Sequence, residues 1–465
     1  MKAINKDILK LAIPSILANI TVPIVGMVDI AVAGHLDTQA ATMIGGIAIG
    51  TMLFDLLYWN FGFLRVGTGG LTAQAFGKGD RRECATIFAR AIGISLACAL
   101  ALIAIQWIFV KAAFLVVECT PEVQALASQY FFIRIWAAPA TLSLMAFKGW
   151  FIGMQDSVSP MLTDLTVNGM NVLMSFVLAL GIKSIGYEGM GFPGIAAGTV
   201  AAQYSGLLVA VLLAVFKYRR NTFSTLSLSD LKGVFKGSET RRFFVMNTDL
   251  FVRSLCFIAI YIGFTVISAR YGDLLLAVSS IMMKLLMIFS YFTDGFAYAG
   301  EAMTGKYIGA KDDVMLRQTV KWTFVWSMGI ALIFIGIYYF AGVPLLRMMT
   351  SDAAVVSASE EYLPWLLLMP VIGCAAFTWD GIYIGATASK AIRNSMLWAV
   401  VGFAAVWFAG IFCLNAFAPS DILSDSEGYT RYGRIAMHIL MAAYFAHLLA
   451  RTIYLSAKYR KVVHI

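Results

Sequence analysis

The stretch VGMVDIAVAG, residues 25–34, closes a run from Leu11 to Gly34 in which Asp29 is the only ionisable side chain. Crossing the hydrocarbon core of a bilayer takes about 20 apolar residues as a helix, so the run is long enough to span. The rest of the chain is built the same way. Its 465 residues are 60% hydrophobic and 13% charged, with a mean hydropathy of +0.80, outside the range of domains that fold in water. The runs are continuously apolar rather than alternating, which excludes barrel strands and leaves helices as the spanning element.

Twelve spans follow, at 8–33, 40–66, 86–110, 124–150, 160–182, 192–216, 243–268, 273–300, 318–341, 357–384, 394–416 and 432–456. The expected fold is an all-α polytopic membrane protein. The first span follows Lys2, Lys6 and Lys10 as a signal peptide would, but its apolar stretch is too long for an h-region, and it is expected to be retained. Six cysteines scattered without a C-x-x-C pair and four unclustered histidines give neither a disulfide framework nor a metal site. No G-x-x-x-x-G-K-[ST] loop is present to hold the phosphates of ATP, and no H-E-x-x-H or Ser-His set points to an enzyme.

The net charge of +9 is explained by orientation rather than by nucleic acid. With both termini in the cytoplasm, Lys and Arg gather on the inner segments, such as Lys78, Arg81 and Arg82, the stretch from Lys217 to Arg242, and Lys458, Arg460 and Lys461. The outer loops hold Lys111, Lys183, Arg270, Arg347, Arg431 and Arg434. The polar stretch KYRRNTFSTLSLSDLKGVFKGSETRR, a candidate surface for anionic lipid headgroups, splits the spans six and six. The expected organisation is a lobe over 1–217, a cytoplasmic linker over 218–242 and a second lobe over 243–465.

A constant shift of 232 residues relates the halves. GWFIGMQDS (149–157) falls on GIYIGATAS (381–389), and the same shift pairs Tyr130 with Tyr362, Gly77 with Gly309 and Asp80 with Asp312. Six spans per half keep the two copies in the same orientation, related by an axis along the membrane normal. Two such pseudo-symmetric lobes form the architecture of an alternating-access transporter. The G-x-x-x-G pairs at 149/153 and 381/385 are read as close helix packing.

A charge at membrane depth costs about 2.5–3.5 kcal/mol even on the lenient insertion scale, so each one within a span calls for a partner or a role. Lys148, Asp164 and Asp380 lie near inner span ends, where headgroups and water reach them. Asp249 and Arg253 are four apart and are expected to pair on one helix face. Lys284 sits near mid-depth, with Asp294 or another second-half acid as its expected counter-charge, while Glu301 follows just past that span. Asp55 and Asp29 have no local basic partner. Pro14 and Pro23 flank the approach to Asp29 and allow its helix to bend, and a carboxylate on a bendable helix can couple protonation to shape.

The motifs LAIPS and VDIAVAG in the first span, FGFLRVGTGGLTAQAFGKGD (61–80), NTDLFVRSL (247–255) and DGFAYAGEAMTGKYIGAK (294–311) resemble the multidrug and toxic compound extrusion (MATE) family, and within it the DinF-like branch. The resemblance covers nearly the whole chain. It implies a secondary antiporter of the bacterial cytoplasmic membrane, a monomer without a cofactor, that exports small organic compounds in exchange for protons or sodium. It also implies an ion-coupling site in the first lobe, in which Asp29 matches the first-span aspartate, Asn171 the fifth-span asparagine, and Thr199 a sixth-span threonine in GIAAGTV. Pro14 matches the proline at which the helix bends. Ser175 stands where the family pattern has a second acid, which leaves Asp29 as the sole carboxylate and favours protons over sodium. The implied cycle holds a cationic or polar substrate while Asp29 is ionised and expels it on protonation. A flippase for lipid-linked intermediates is the alternative, but its pyrophosphate would require a cationic lining, and the first-half spans offer only Arg65, Arg134 and Lys148.

Overall fold

The computed structural model describes residues 2–34, 40–115, 117, 119–182, 186–226, 233, 235, 238–350, 352–417 and 426–463. Lys183 and much of the linker over 218–242 therefore lie outside the described residues. Most of what is described is helical, and the rest is turn and loop with one isolated bridge between Ile182 and Tyr187. The first half runs α1 (Lys2–Ile20), α2 (Val22–Gly34), α3 (Ala40–Trp59), α4 (Phe63–Gly77), α5 (Arg81–Ala113), α6 (Pro121–Arg134), α7 (Ala138–Gly153), α8 (Val158–Leu180) and α9 (Phe192–Tyr218). The second runs α10 (Ser238–Ala269), α11 (Asp273–Gly309), α12 (Asp313–Met349), α13 (Ala353–Glu360), α14 (Leu363–Gly385), α15 (Ser389–Phe417) and α16 (Ser426–Val462).

Among the described residues, 11 helical stretches are long and apolar enough to cross a membrane. The first span is the twelfth, divided at Thr21 into α1 and α2. Two of the eleven are α-helices joined through a single 3₁₀ turn, over Asn60–Gly62 and Ile135–Ala137. The second turn has a local cause, since Pro139 has no N–H to give the carbonyl of Ile135.

The internal repeat is visible in the backbone. Asp80 and Asp312 cap α5 and α12 in the same way, accepting from the amides of Glu83 at 2.8 Å and Met315 at 3.0 Å. The residues before them, Gly79 (φ 76°) and Lys311 (φ 57°), share a left-handed turn, and so do Gln155 (φ 63°) and Thr387 (φ 54°). Gly149 and Gly381 make matching close approaches: a Cβ on either would strike the carbonyl oxygen of Arg65 or Ala297 respectively. The expectation of close helix packing at these glycines is met, since only a missing side chain lets α7 lie on α4 and α14 on α11.

Two compact units divide the chain. One comprises Ile13–Asn247 with Gly305–Lys311, the other Met1–Ala12, Thr248–Thr304 and Asp312–Ile465. Helix α1 thus contributes its first turns to the second unit and the rest to the first. The first unit packs around Phe54, Tyr130, Phe131, Ile135, Leu142 and Phe192. The second packs around Phe264, Met282, Phe289, Tyr362, Leu366 and Met441. In lipid such cores are held by dispersion and fit rather than by escape from water.

The turn between α7 and α8 is pinned to the end of α9 by a polar cluster. Asp156 accepts from the Ser159 amide (3.0 Å) and hydroxyl (2.6 Å), from Lys217 Nζ (2.9 Å) and from the Tyr218 hydroxyl (3.0 Å). Burial pushes its carboxyl up, but the bonds from Ser159 and Lys217 outweigh that and hold it below the usual carboxylate range. A group whose pKa is depressed by folding stabilises above the unfolded value of about 3.9 and stops doing so as pH falls through the folded value. In thermal melts of detergent-solubilised protein, Asp156→Asn is expected to lose about 1 kcal/mol at pH 7. Between pH 5 and pH 3 the native protein's melting temperature should drop more steeply than the variant's. Parallel curves would show that the cluster does not depend on the charge.

Candidate ion-coupling site

The site starts from the interruption in the first span. Pro23 cannot donate to the carbonyl of Asn19, and the α-helical ladder gives way at Thr21. There the Thr21 amide bonds to the carbonyl of Ala18 at 3.3 Å and the Thr21 hydroxyl donates to the same carbonyl at 2.7 Å. The expected bending prolines are thus treated differently: α1 continues through Pro14, while the break falls two residues before Pro23.

Beyond the break, α2 carries Asp29, which is 7% exposed. The Ser175 hydroxyl of α8 donates to Asp29 Oδ1 at 3.0 Å. One turn earlier on α8, Asn171 Nδ2 donates to the Thr199 hydroxyl of α9 at 3.0 Å, and that hydroxyl donates to the carbonyl of Ile195 at 3.3 Å. Helix α9 reaches this position through its glycines. A Cβ at Gly194 would meet the backbone of Leu178, and one at Gly198 the backbone of Ser175. The segment GIAAGTV therefore works by omission, bringing Thr199 against α8. Asn171 Oδ1 is buried with no hydrogen-bond partner among the described residues.

Structure thus places all four expected residues on three packed helices of one unit, as the pairs Asp29/Ser175 and Asn171/Thr199. It also adds a contact that sequence reading missed. Asn168 lies three residues before Asn171 and seven before Ser175, on the same face of α8, and its Nδ2 donates to the hydroxyl of Thr21 at the helix break. The N-x-x-N-x-x-x-S spacing was the available signal. Arg134, at the end of α6, is a second addition. It donates to the Tyr130 hydroxyl at 3.1 Å, lies over the Phe54 ring at 4.7 Å, and is within electrostatic reach of both Asp29 and Asp55. Asp55 itself is exposed on α3.

In the second unit several expectations are corrected. Asp249 and Arg253 do not pair on α10. Asp249 instead accepts from Arg393 Nη1 at 2.6 Å and from the Ser389 hydroxyl at 2.7 Å, both on α15. Arg253 bonds Asp380 of α14 at 2.8 Å, and Arg451 of α16 bonds the same carboxylate oxygen. The reason is packing: both α10 side chains face helices that offer desolvated, charge-assisted partners, which outweigh a pair along one helix. Asp380 is consequently 7% exposed rather than solvated by headgroups. In the first unit, Lys148 and Asp164, also expected to be solvated, pair with each other at 2.8 Å. Glu301 is buried and Asp294 half-buried on α11. Lys284 has no ion pair among the described residues and is exposed, so Asp294 does not neutralise it.

This arrangement can hold or release a proton on a carboxylate placed beside a broken helix. No group of three or more His, Cys, Asp or Glu side chains among the described residues could hold a metal ion.

Comparison with known proteins shows which family the chain resembles. The MatE family model matches residues 14–177 and 250–407, one stretch in each half. The chain is 33% identical over 402 residues to the DNA damage-inducible protein F of Escherichia coli (strain K12), covering 86% of this chain and 84% of that protein. It is 23% identical over 434 residues to a probable multidrug resistance protein NorM of Photorhabdus laumondii, covering 91% and 90%. A multidrug resistance MATE family transporter of the MOP superfamily, solved in an outward-facing conformation, superposes with a TM-score of 0.78 at 16% identity, covering 98% of this chain and 96% of that one. The twelve-span, two-half chain belongs to the MATE family of membrane transporters.

Proposed function

We propose that the protein is a secondary antiporter of the bacterial cytoplasmic membrane, with both termini inside, that exports small organic compounds by alternating access in exchange for protons. The observation that carries this reading is the buried hydrogen bond from Ser175 to Asp29, on the far side of the break at Thr21. While Asp29 is ionised it only accepts, and the Ser175 hydroxyl ties α2 to α8. Once protonated, the carboxyl is itself a donor and no longer charged, so the bond weakens and α2 is less firmly held. Sodium is the poorer candidate. The site supplies one carboxylate with neutral oxygens, and Arg134 within electrostatic reach opposes a second cation.

Helix α1 is suited to carry the change because it is anchored at both ends. Near its start, Asn5 Oδ1 accepts from Trp326 Nε1 at 3.0 Å within the second unit. At its other end, Asn168 holds Thr21 within the first unit. Pro14 lies between these anchors, next to the residue at which the units divide. A two-state element of this kind transports when ion and cargo bias its populations in opposite directions.

In proteoliposomes, an imposed proton gradient should drive release of preloaded cargo, a sodium gradient at equal pH should not, and Asp29→Asn should abolish the coupled flux. Sodium-driven release, or full flux in the variant, would overturn the reading. For the anchor, Asn168→Ala and Thr21→Val should each slow exchange several-fold. The double variant should be no slower than either, with a coupling energy of about 0.5–1 kcal/mol; additive losses would separate the two residues.

A further inference from the structure

Lys284 occupies in the second half the kind of position that Asp29 occupies in the first. It is the only charged side chain in the run LLLAVSSIMMKLLMIFSYF, residues 274–292. It lies eleven residues past the start of α11, about 16 Å along the helix axis. At that depth the obvious structural role would be an ion pair, yet Lys284 makes none among the described residues. Two acids of the same unit are committed elsewhere, Asp380 to Arg253 and Arg451, and Asp249 to Arg393. Asp294 stands ten residues on, about 15 Å further along the helix.

The helix around Lys284 has two distinct faces. Val278, Met282, Leu285, Leu286, Phe289 and Thr293 are buried on one. Ser280, Lys284, Met287, Tyr291, Asp294 and Tyr298 fall within about 40° of a single line on the other, at 100° per residue. Ser280 and Lys284 are exposed there and the remaining four are half-buried. A face turned to lipid tails would leave the ammonium unsolvated at a cost of about 2.5–3.5 kcal/mol. Ser280, exposed one turn before Lys284, adds a second polar group to this face. This face is therefore wetted, and an unpaired cation on a wetted face at membrane depth is an anion-recognising group. The scaffold does not require it, because the matching position of the first half is Met52.

We propose that Lys284 is the headgroup-binding residue of a cargo site on α11, and that the cargo it selects is an amphiphilic organic anion. The ammonium of Lys284 would hold a carboxylate or sulfonate, and Met287 and Tyr291 would offer the apolar body an adaptable surface. The proposal rests on the antiporter reading only for calling the bound compound cargo. Equilibrium binding tests it without any gradient.

The full-length protein in a non-ionic detergent is titrated at pH 7 with 11-(dansylamino)undecanoic acid and with the methyl ester of the same probe, which keeps the apolar body and removes the charge. Native protein is expected to prefer the acid by about tenfold. Lys284→Met, which installs the first-half residue, should remove that preference while eluting as the native protein does. Lys284→Arg should keep it within about threefold. Equal binding of acid and ester by the native protein, or an unchanged preference in Lys284→Met, would overturn the proposal. A preference lost in Lys284→Arg as well as in Lys284→Met would also contradict it, since any guanidinium-tolerant anion site should survive that exchange. If Asp29→Asn exchanges normally in liposomes while the acid preference still depends on Lys284, the coupling scheme fails and the anion site stands.

Discussion

Inside a bilayer no water is at hand to solvate a charge or a backbone dipole, so each must be satisfied by the protein or by water admitted to a cavity. That constraint organises this molecule. Asp380 is shared by two arginines, Asp249 is held by Arg393 and Ser389, and Lys148 meets Asp164. Asp29 differs from these, since its hydrogen-bonding partner is a neutral hydroxyl. A carboxylate balanced by a nearby guanidinium is stable as an ion, whereas one balanced by a hydroxyl can exist in either protonation state at modest cost. On the proposed reading, the uncharged hydrogen-bonding partner sets Asp29 apart from Asp164, Asp249 and Asp380 as the carboxylate fit for coupling.

Duplication supplied the scaffold but not the site. The capping aspartates Asp80 and Asp312, the left-handed turns at Gln155 and Thr387, and the crossings at Gly149 and Gly381 recur at one spacing of 232 residues. The same shift carries Asp29 to Tyr261, Asn171 to Phe403, Ser175 to Trp407 and Thr199 to Arg431. Backbone geometry has been kept where helices must touch. The polar side chains around Asp29 have no counterpart at that spacing. On the proposed reading, two related halves of which only one carries a proton-responsive carboxylate provide the asymmetry that a directional cycle needs.

Much of this was legible in the sequence, because spans, charge asymmetry and the repeat depend only on residue type and spacing. Asp29 and the three residues grouped with it could be placed through the family's motifs, and the spacing of Asn171 and Ser175 on α8 agrees with the face they share. Contacts between helices were less accessible. Asp249 and Arg253 satisfy the i, i+4 rule, yet each bonds to a different helix, and nothing local distinguishes a pair that forms from one that is outcompeted. Asn168 was passed over for a related reason: its partner Thr21 is 147 residues away and acquires its role only once the helix breaks there. Lys284 could be located but not interpreted, since its meaning lies in the absence of an ion pair.

The central claim is that Asp29 exchanges its proton for cargo, and the most direct measurement is a count of protons. Detergent-solubilised protein in weakly buffered solution near neutral pH is mixed with a transported compound while a pH indicator is followed. If the account is right, binding releases protons from the native protein in proportion to the cargo bound, and Asp29→Asn binds the same compound without release. If the variant releases as many protons as the native protein, Asp29 is a structural carboxylate and the coupling group lies elsewhere in the chain.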